Sequence, residues 1–279
     1  ILNTLEQAGI AREKIKILIA TGMHRPNLGK ELESMVGPHI MENYTILNHY
    51  CQKSEDMRQI DSIEGTPIEI NRHYLDADLK ILTGLIEPHM YAGYSGGRKS
   101  ILPGISSFTT MTLMHSFKMI DHPDVTNCKL SGNPFHEAGE KIARLAGVDF
   151  IANVIINKSR EMVGIFAGHQ THAHEAGCDM VKRLSSRPVS KPVDLMITSA
   201  GGYPLDATFY QVSKGLIAAR NILKKGGSII VACECREGLG SKEYTDMIMQ
   251  GNTPDQFFDQ HADPDQFIID QWCRQTTYQ

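Results

Sequence analysis

Lys14-Ile-Lys-Ile-Leu-Ile-Ala-Thr-Gly-Met-His-Arg-Pro-Asn27 carries a short apolar run into a polar turn containing glycine and proline. A run of this length, bounded by Thr21-Gly22, reads as a strand, and the amphipathic pattern from Leu28 to Val36 behind it reads as a helix. Working outward, a leading helix ends near Gly9. Further strands fall near Tyr44–Asn48, Pro67–Asn71, Leu79–Thr83, Phe150–Ile156 and Met162–Phe166, with helices near Phe108–Met119, Pro134–Leu145 and Thr171–Leu184. The segment Ser185-Ser-Arg-Pro-Val-Ser-Lys-Pro-Val193 is rich in proline and serine and reads as a connection. Beyond it the pattern restarts with strands Val193–Thr198 and Ser228–Ala232 around a helix Thr208–Leu223, then helices near Tyr244–Gln250, Pro254–Gln260 and Pro264–Cys273. The expectation is an α/β protein of two domains, residues 1–186 and 187–279, with largely parallel sheets and an active-site crevice between them.

The 279 residues are 41% hydrophobic and 22% charged, a globular composition that excludes disordered and collagenous classes. Lys plus Arg number 28 against 32 Asp plus Glu, a net charge of -4, so no basic footprint for nucleic acid exists. Apolar runs such as Ile17–Ala20 are far shorter than the roughly 20 residues that span a bilayer, and no membrane partner is expected. Six scattered cysteines suit a reducing, cytoplasmic setting, and Cys233 and Cys235, two apart at the end of an apolar run, read as core thiols. The chain opens at Ile1 inside a helical pattern and stops at Gln279 without a glycine or proline stop, so a segment is expected to be missing at each end.

In an open parallel sheet, ligands sit beyond the carboxyl ends of strands. Three segments occupy such positions: Thr21 to Asn27, Gly84 to Ile105, and Ser199 to Asp206. The middle one, Glu87-Pro-His-Met-Tyr-Ala-Gly-Tyr-Ser-Gly-Gly-Arg-Lys-Ser-Ile-Leu-Pro-Gly104, is long and cationic, and its glycines, Gly96 and Gly97 among them, let backbone amides approach a phosphate. It nearly fits a phosphate-binding P-loop, but Arg98 stands where that motif has glycine. His24 and His89 each follow a strand and could place two bases on one carbon. His115 lies on an apolar helix with Met111, Met114 and Met119, which suits a packed core imidazole as well as a ligand. His169, His172 and His174 lack zinc spacing and read as a solvated helix start. Tyr210 and Lys214 share a helical face next to Gln211, offering a hydroxyl and an ammonium group to an anion.

Together, Gly22-Met-His-Arg-Pro26, the Glu87–Gly104 loop, His115 and Gly201-Gly-Tyr-Pro-Leu-Asp206 running on to Tyr210-Gln-Val-Ser-Lys214 resemble the lactate racemase family. The resemblance implies a racemase or epimerase of 2-hydroxy carboxylic acids that uses nickel held in nickel pyridinium-3,5-bisthiocarboxylate mononucleotide, the nickel-pincer nucleotide. It implies that His24 and His89 are the catalytic bases and His115 the nickel ligand. Lys99 would tether the cofactor, with Gly96, Gly97, Arg98, Gln211 and Trp272 on the cofactor side, and Tyr210 and Lys214 would contact substrate. The α-hydrogen of such an acid is too weakly acidic for imidazole to remove as a proton, so its departure as hydride to the cofactor, paired with proton movement through histidine, matches the residue types. An amino-terminal Asp-Asp-x-Thr-Arg-Pro type motif, which supplies a substrate-binding arginine in the family, does not occur in these residues. The competing expectations are a non-catalytic homologue that binds a nucleotide or carboxylate, and a P-loop-like phosphotransferase.

Overall fold

The computed structural model describes residues 1–220, 222–261 and 267–278. Helix α1 (Leu2–Gln7) precedes β1 (Lys16–Ile19); α2 (Gly29–Val36) and α3 (Pro38–Asn43) then lead to β2 (Thr45–Asn48), which pairs parallel to β1. Two helices stand where one was expected. Gly37, at φ +85°, ends α2, and Pro38 opens α3 at its first position, where its missing N–H costs nothing. Next, β3 (Met57–Ile63) and β4 (Thr66–Asn71) form an antiparallel hairpin. The sequence reading found only β4, because β3 is half-exposed and mixes Arg58, Gln59, Asp61 and Ser62 into its apolar alternation.

Helix α4 (Arg72–Leu75) follows, capped by the Asn71 side chain, and leads to β5 (Ile81–Leu85). A short hairpin, β6 (Pro88–His89) and β7 (Gly93–Tyr94), comes before α5 (Phe108–Met114), α6 (Phe117–Asp121) and α7 (Pro134–Ala146). The single expected helix over 108–119 is divided because the Ser116 side chain accepts the Met119 N–H and caps a new helix. That break leaves His115 at the end of α5. Strands β8 (Phe150–Ile156) and β9 (Met162–Gly168) form an antiparallel pair, with β8 also parallel to β5, and α8 (Gln170–Ser185) covers this sheet.

After an exposed segment over 186–191, β10 (Val193–Ser199), α9 (Phe209–Arg220) and β11 (Leu223–Ala232) form a parallel unit, followed by α10 (Lys242–Met249), α11 (Pro254–His261) and α12 (Gln271–Tyr278). Of the helix expected over Pro264–Cys273, residues Pro264 to Gln266 lie outside the described residues, and the described helix begins at Gln271. The chain is α/β: parallel pairs carry the crossovers, and the three antiparallel pairs are local hairpins.

One apolar core runs through both halves. Ile68, Ile70, Leu82, Ile101, Met114, Ile142 and Ile151 pack in a cluster that also holds Tyr244, Trp272 and Cys273. Each aliphatic side chain buried there contributes roughly 1.5–3 kcal/mol of transfer free energy. Cys233 is exposed and Cys235 half-buried, which corrects the reading of both as core thiols: they lie beyond the last residue of β11. No helix among the described residues is long and apolar enough to cross a membrane.

Candidate active site

The turn after β1 places His24, whose N–H donates to the Thr21 carbonyl at 3.0 Å. Thr21 Oγ1 donates to the His49 carbonyl at 2.6 Å, and the Gly22 N–H donates to the Gly104 carbonyl at 2.9 Å. The Gly104 N–H in turn donates to the Lys99 carbonyl at 3.0 Å, so the turn bearing His24 is tied to the loop bearing Lys99. The His24 ring is exposed and makes no hydrogen bond among the described residues. Partial desolvation, then the charges of Lys214 and Lys99, hold its pKa below the ordinary histidine value.

The long glycine-rich segment is folded, not open. His89 pairs with Gly93 across the β6–β7 hairpin, and a single 3-10 turn follows over Gly97–Ser100. A P-loop needs a strand, a phosphate-cradling loop and a long helix in direct succession; the hairpin and short turn found here correct the P-loop expectation. The Gly97 N–H donates to Asn153 Oδ1 at 2.8 Å. A Cβ on Gly96 would lie 2.9 Å from Asn153 Oδ1, and one on Gly97 2.9 Å from His174 Cδ2. These two glycines therefore allow close packing on β8 and α8, and the Gly97 amide is spent on the scaffold instead of facing a phosphate.

Arg98 turns the same way. Its buried guanidinium donates from Nη2 to the carbonyls of Ala92 at 2.7 Å and Tyr94 at 3.4 Å, while Nη1 lies 3.1 and 3.4 Å from the ring nitrogens of His174. Sequence reading placed Arg98 on the cofactor; the structure uses its hydrogen bonds inside the loop. His174 is buried and bonds the Ser95 carbonyl through Nε2 at 2.8 Å, so it is not part of a solvated helix start. His169 does cap α8, with its ring 4.8 Å from that of His172. Among the described residues no group of three potential ligands could hold a metal ion.

His89 Nδ1 accepts the backbone N–H groups of Tyr91 at 3.2 Å and Ala92 at 3.1 Å. With Nδ1 occupied as an acceptor, the neutral ring carries its proton on Nε2. His115 has the opposite tautomer: Nδ1 lies 3.0 Å from the Met111 carbonyl, which can only accept, so Nε2 keeps a free lone pair. Burial brings the His115 pKa down to about 4. Its ring packs 4.7 Å from that of Trp272 and 5.6 Å from that of Phe135. Trp272 Nε1 donates to Tyr210 Oη at 3.3 Å, and Tyr91 Oη donates to the Trp272 carbonyl at 3.3 Å, so α12 joins α9 to the loop of the first half. Tyr91 thus anchors α12. Gln211 and Lys214 lie on α9 with Tyr210, and Lys214 Nζ is 5.9 Å from the Tyr210 ring centre.

A cleft of about 220 Å³ is lined by Glu87, Pro88, His89, Met90, Asn127, Lys214 and Ile217. Lys99 is half-buried, and desolvation, then Arg98 and Lys214, bring its pKa to about 7. Burial, then Lys99 and Lys214, push His89 well below the usual histidine range. His24, His89, His115, Lys99 and Lys214 thus feel one another's charge, which places all five in one region. The region pairs neutral imidazoles with ammonium groups, an arrangement that receives an anion and leaves bases unprotonated.

Residues 1–127 match the family of the lactate racemase N-terminal domain, and residues 189–279 that of the lactate racemase C-terminal domain. The chain belongs to the lactate racemase family. The lactate racemase of Lactiplantibacillus plantarum is 39% identical over 265 residues, 94% of this chain and 62% of that protein. That of Thermoanaerobacterium thermosaccharolyticum is 39% identical over 261 residues, 92% of this chain and 61% of that protein. The structure of the latter's apoprotein superposes with a TM-score of 0.91 at 38% identity, covering 94% of this chain and 64% of that one. A Thermotoga maritima crystal structure, at 18% identity and a TM-score of 0.70, covers 99% of this chain and 72% of that one and shares the fold. The chain spans 61–62% of the length of these curated lactate racemases.

Within this lactate racemase family chain, sequence reasoning missed Asn153, Asn127 and Ile217. Asn153 is fully buried and had a signal, an amide in the middle of the apolar strand Phe150–Ile156. Asn127 and Ile217 had none, since only the folded chain brings them beside His89. His49, also unflagged, is a buried support whose Nε2 bonds the Ser106 carbonyl at 2.9 Å.

Proposed function

We propose that the chain is the greater part of a racemase or epimerase of 2-hydroxy carboxylic acids that works with nickel and the nickel-pincer nucleotide. The observation that carries this reading is the convergence of His24, His89, His115, Lys99 and Lys214. Residues 1–186 and 187–279 are proposed as its two domains, with substrate between them.

The residues present fit the cofactor. His115 offers a bare Nε2 whose ring is oriented by the Met111 carbonyl, the second-sphere bond typical of a metal-binding imidazole. Lys99, close to half deprotonated at neutral pH, has the free amine that a covalent tether needs. Lys214 supplies charge for a phosphate or carboxylate, and Trp272 and Gln211 close the side toward α9. When bound, the group supplies a hydride acceptor.

The chain's own residues then handle the oxygen. His24, exposed and without a hydrogen bond on its ring among the described residues, accepts the hydroxyl proton of one enantiomer. His89 serves the other face: after taking up a second proton from solvent it donates one to the oxygen of the turned 2-oxo acid and returns to the neutral ring, while His24 gives its proton up to solvent. Lys214 and Tyr210 hold the carboxylate, and Met90 borders the side chain with an adaptable surface. Uptake of a second proton by His89 requires its Nδ1 to give up the Tyr91 and Ala92 amides, so the resting pair is asymmetric.

The test is interconversion of pure enantiomers of small 2-hydroxy acids by protein made together with the cofactor-making enzymes, with nickel and intact mass measured on the same sample. Racemisation with nickel and a nucleotide adduct on Lys99 is the expected result. A protein that retains nucleotide or carboxylate and leaves both enantiomers unchanged is a binding homologue, and the reading fails.

A further inference from the structure

Ala92 is bonded at both ends of its amide neighbourhood. Its N–H donates to His89 Nδ1 at 3.1 Å, and its carbonyl accepts from Arg98 Nη2 at 2.7 Å. Arg98 also reaches the Tyr94 carbonyl at 3.4 Å, on the far strand of the hairpin that carries His89. The guanidinium is itself anchored: His174 of α8 sits against Nη1, its own Nε2 bonds the Ser95 carbonyl, and Gly139 of α7 makes room for the side chain, since a Cβ there would lie 3.3 Å from Arg98 Cγ. No carboxylate among the described residues bonds this buried charge, and burial lowers its pKa only to about 10, so it stays a cation at neutral pH. A buried cation whose hydrogen bonds go to carbonyls of one loop is an expensive device if it only fills space.

We propose that Arg98 is a positioning residue for His89, holding the Ala92 residue so that its N–H stays on His89 Nδ1 and the ring presents Nε2–H to the cleft. Resting on the reading of His89 as the proton-donating partner, the inference deepens that reading. It gives the buried charge of the loop a task other than binding the cofactor. The coupling runs through one residue: release of the Ala92 carbonyl lets that residue rotate, its N–H leaves Nδ1, and the ring becomes free to exchange tautomers.

The experiment uses the full chain with ¹⁵N-labelled histidine and long-range ¹H–¹⁵N correlation, which distinguishes bare from protonated ring nitrogens; the His89 signals are identified by their loss in His89→Gln. In the unmodified chain His89 should show a bare Nδ1 and a protonated Nε2. In Arg98→Met its two nitrogen shifts should converge by tens of ppm toward a tautomer mixture, while His49, held by Ser106 and Asn71, keeps its pattern. A protonated Nδ1 on His89 in the unmodified chain overturns the proposal, as does an unchanged His89 pattern in a folded Arg98→Met. Should that variant fail to fold, His174→Phe, which keeps a ring there and removes the nitrogens beside Nη1 and on the Ser95 carbonyl, must weaken the His89 pattern in the same direction, and no change overturns the proposal. The spectrum needs no turnover, so a shifted tautomer in a protein that leaves enantiomers unchanged would sink the racemase reading and leave the Arg98 assignment standing.

Discussion

His115 Nδ1 lies 3.0 Å from the carbonyl oxygen of Met111, one turn earlier on the same helix. That bond selects the tautomer that can bind a metal, and it exists because Ser116 ends the helix there and leaves His115 at its terminus. His115→Phe keeps the ring contacts with Trp272 and Phe135 and removes the nitrogen. Nickel retention should fall by about tenfold or more with the melting temperature nearly unchanged, whereas His115→Ala should cost roughly 2–4 kcal/mol. Metal analysis and thermal unfolding on the same samples check this; full nickel content in His115→Phe would leave the residue a core imidazole.

Lys99 should react as an unusually acidic amine. With its pKa near 7, it is mostly neutral at pH 8, where an ordinary lysine is almost fully charged. Acylation of Lys99, followed by peptide mass spectrometry, should show a midpoint near pH 7. Lys214→Met should move that midpoint upward, because one of the charges opposing the ammonium form is gone. A midpoint near 10 in the unmodified protein rules the assignment out.

Acid should destabilise the fold through buried histidines. Burial lowers His115 and His174 to about 4 and His136 to about 3, so the unfolded chain binds more protons than the native one below the ordinary value near 6.5. Stability contributed by these groups is complete above about pH 6.5 and is lost as the pH falls through 4 and then 3, each group being worth on the order of 3 kcal/mol. Urea unfolding between pH 7.5 and 4 should show the decline, and His136→Gln should make it shallower. An equal slope with and without His136 contradicts the assignment.

His24 and His89 should separate by enantiomer. In protein loaded with cofactor, His24→Ala and His89→Ala should each block net interconversion, yet each should keep reduction of the cofactor with one enantiomer, and the retained enantiomer should differ. The affected half-reaction should slow by about 10²- to 10⁴-fold. Rapid-mixing absorbance with pure enantiomers reads both halves; equal losses with both enantiomers in both variants would mean that the rings only shape the cleft.

Most strands and helices were legible because apolar periodicity is a local property of the chain. The pattern failed at β3, whose outer face is polar, and at α5–α6, where one serine hydroxyl outweighs a continuous apolar stripe. His24, His89 and Lys99 were visible as chemistry-bearing residues in loops after strands, His115 and Lys214 as residues of helices, and the family resemblance assigned them roles. Their directions were not visible. Gly97 and Arg98 immediately precede Lys99 in the chain, yet their hydrogen bonds go to Asn153, Ala92 and Tyr94.

Sequence by itself determined the α/β class, the strands that end in polar loops, and the set of residues able to bind an anion, carry a proton or hold a metal. Only the tertiary structure decided which nitrogen of His89 and His115 holds the proton, which cation of the Arg98-Lys99 pair meets the scaffold, and that Trp272, 157 positions beyond His115, packs on its ring. The reason is physical: periodicity and propensity act over a few neighbouring residues, whereas a tautomer or a desolvated amine is set by whichever carbonyls, amides and charges the folded chain brings within a few ångströms.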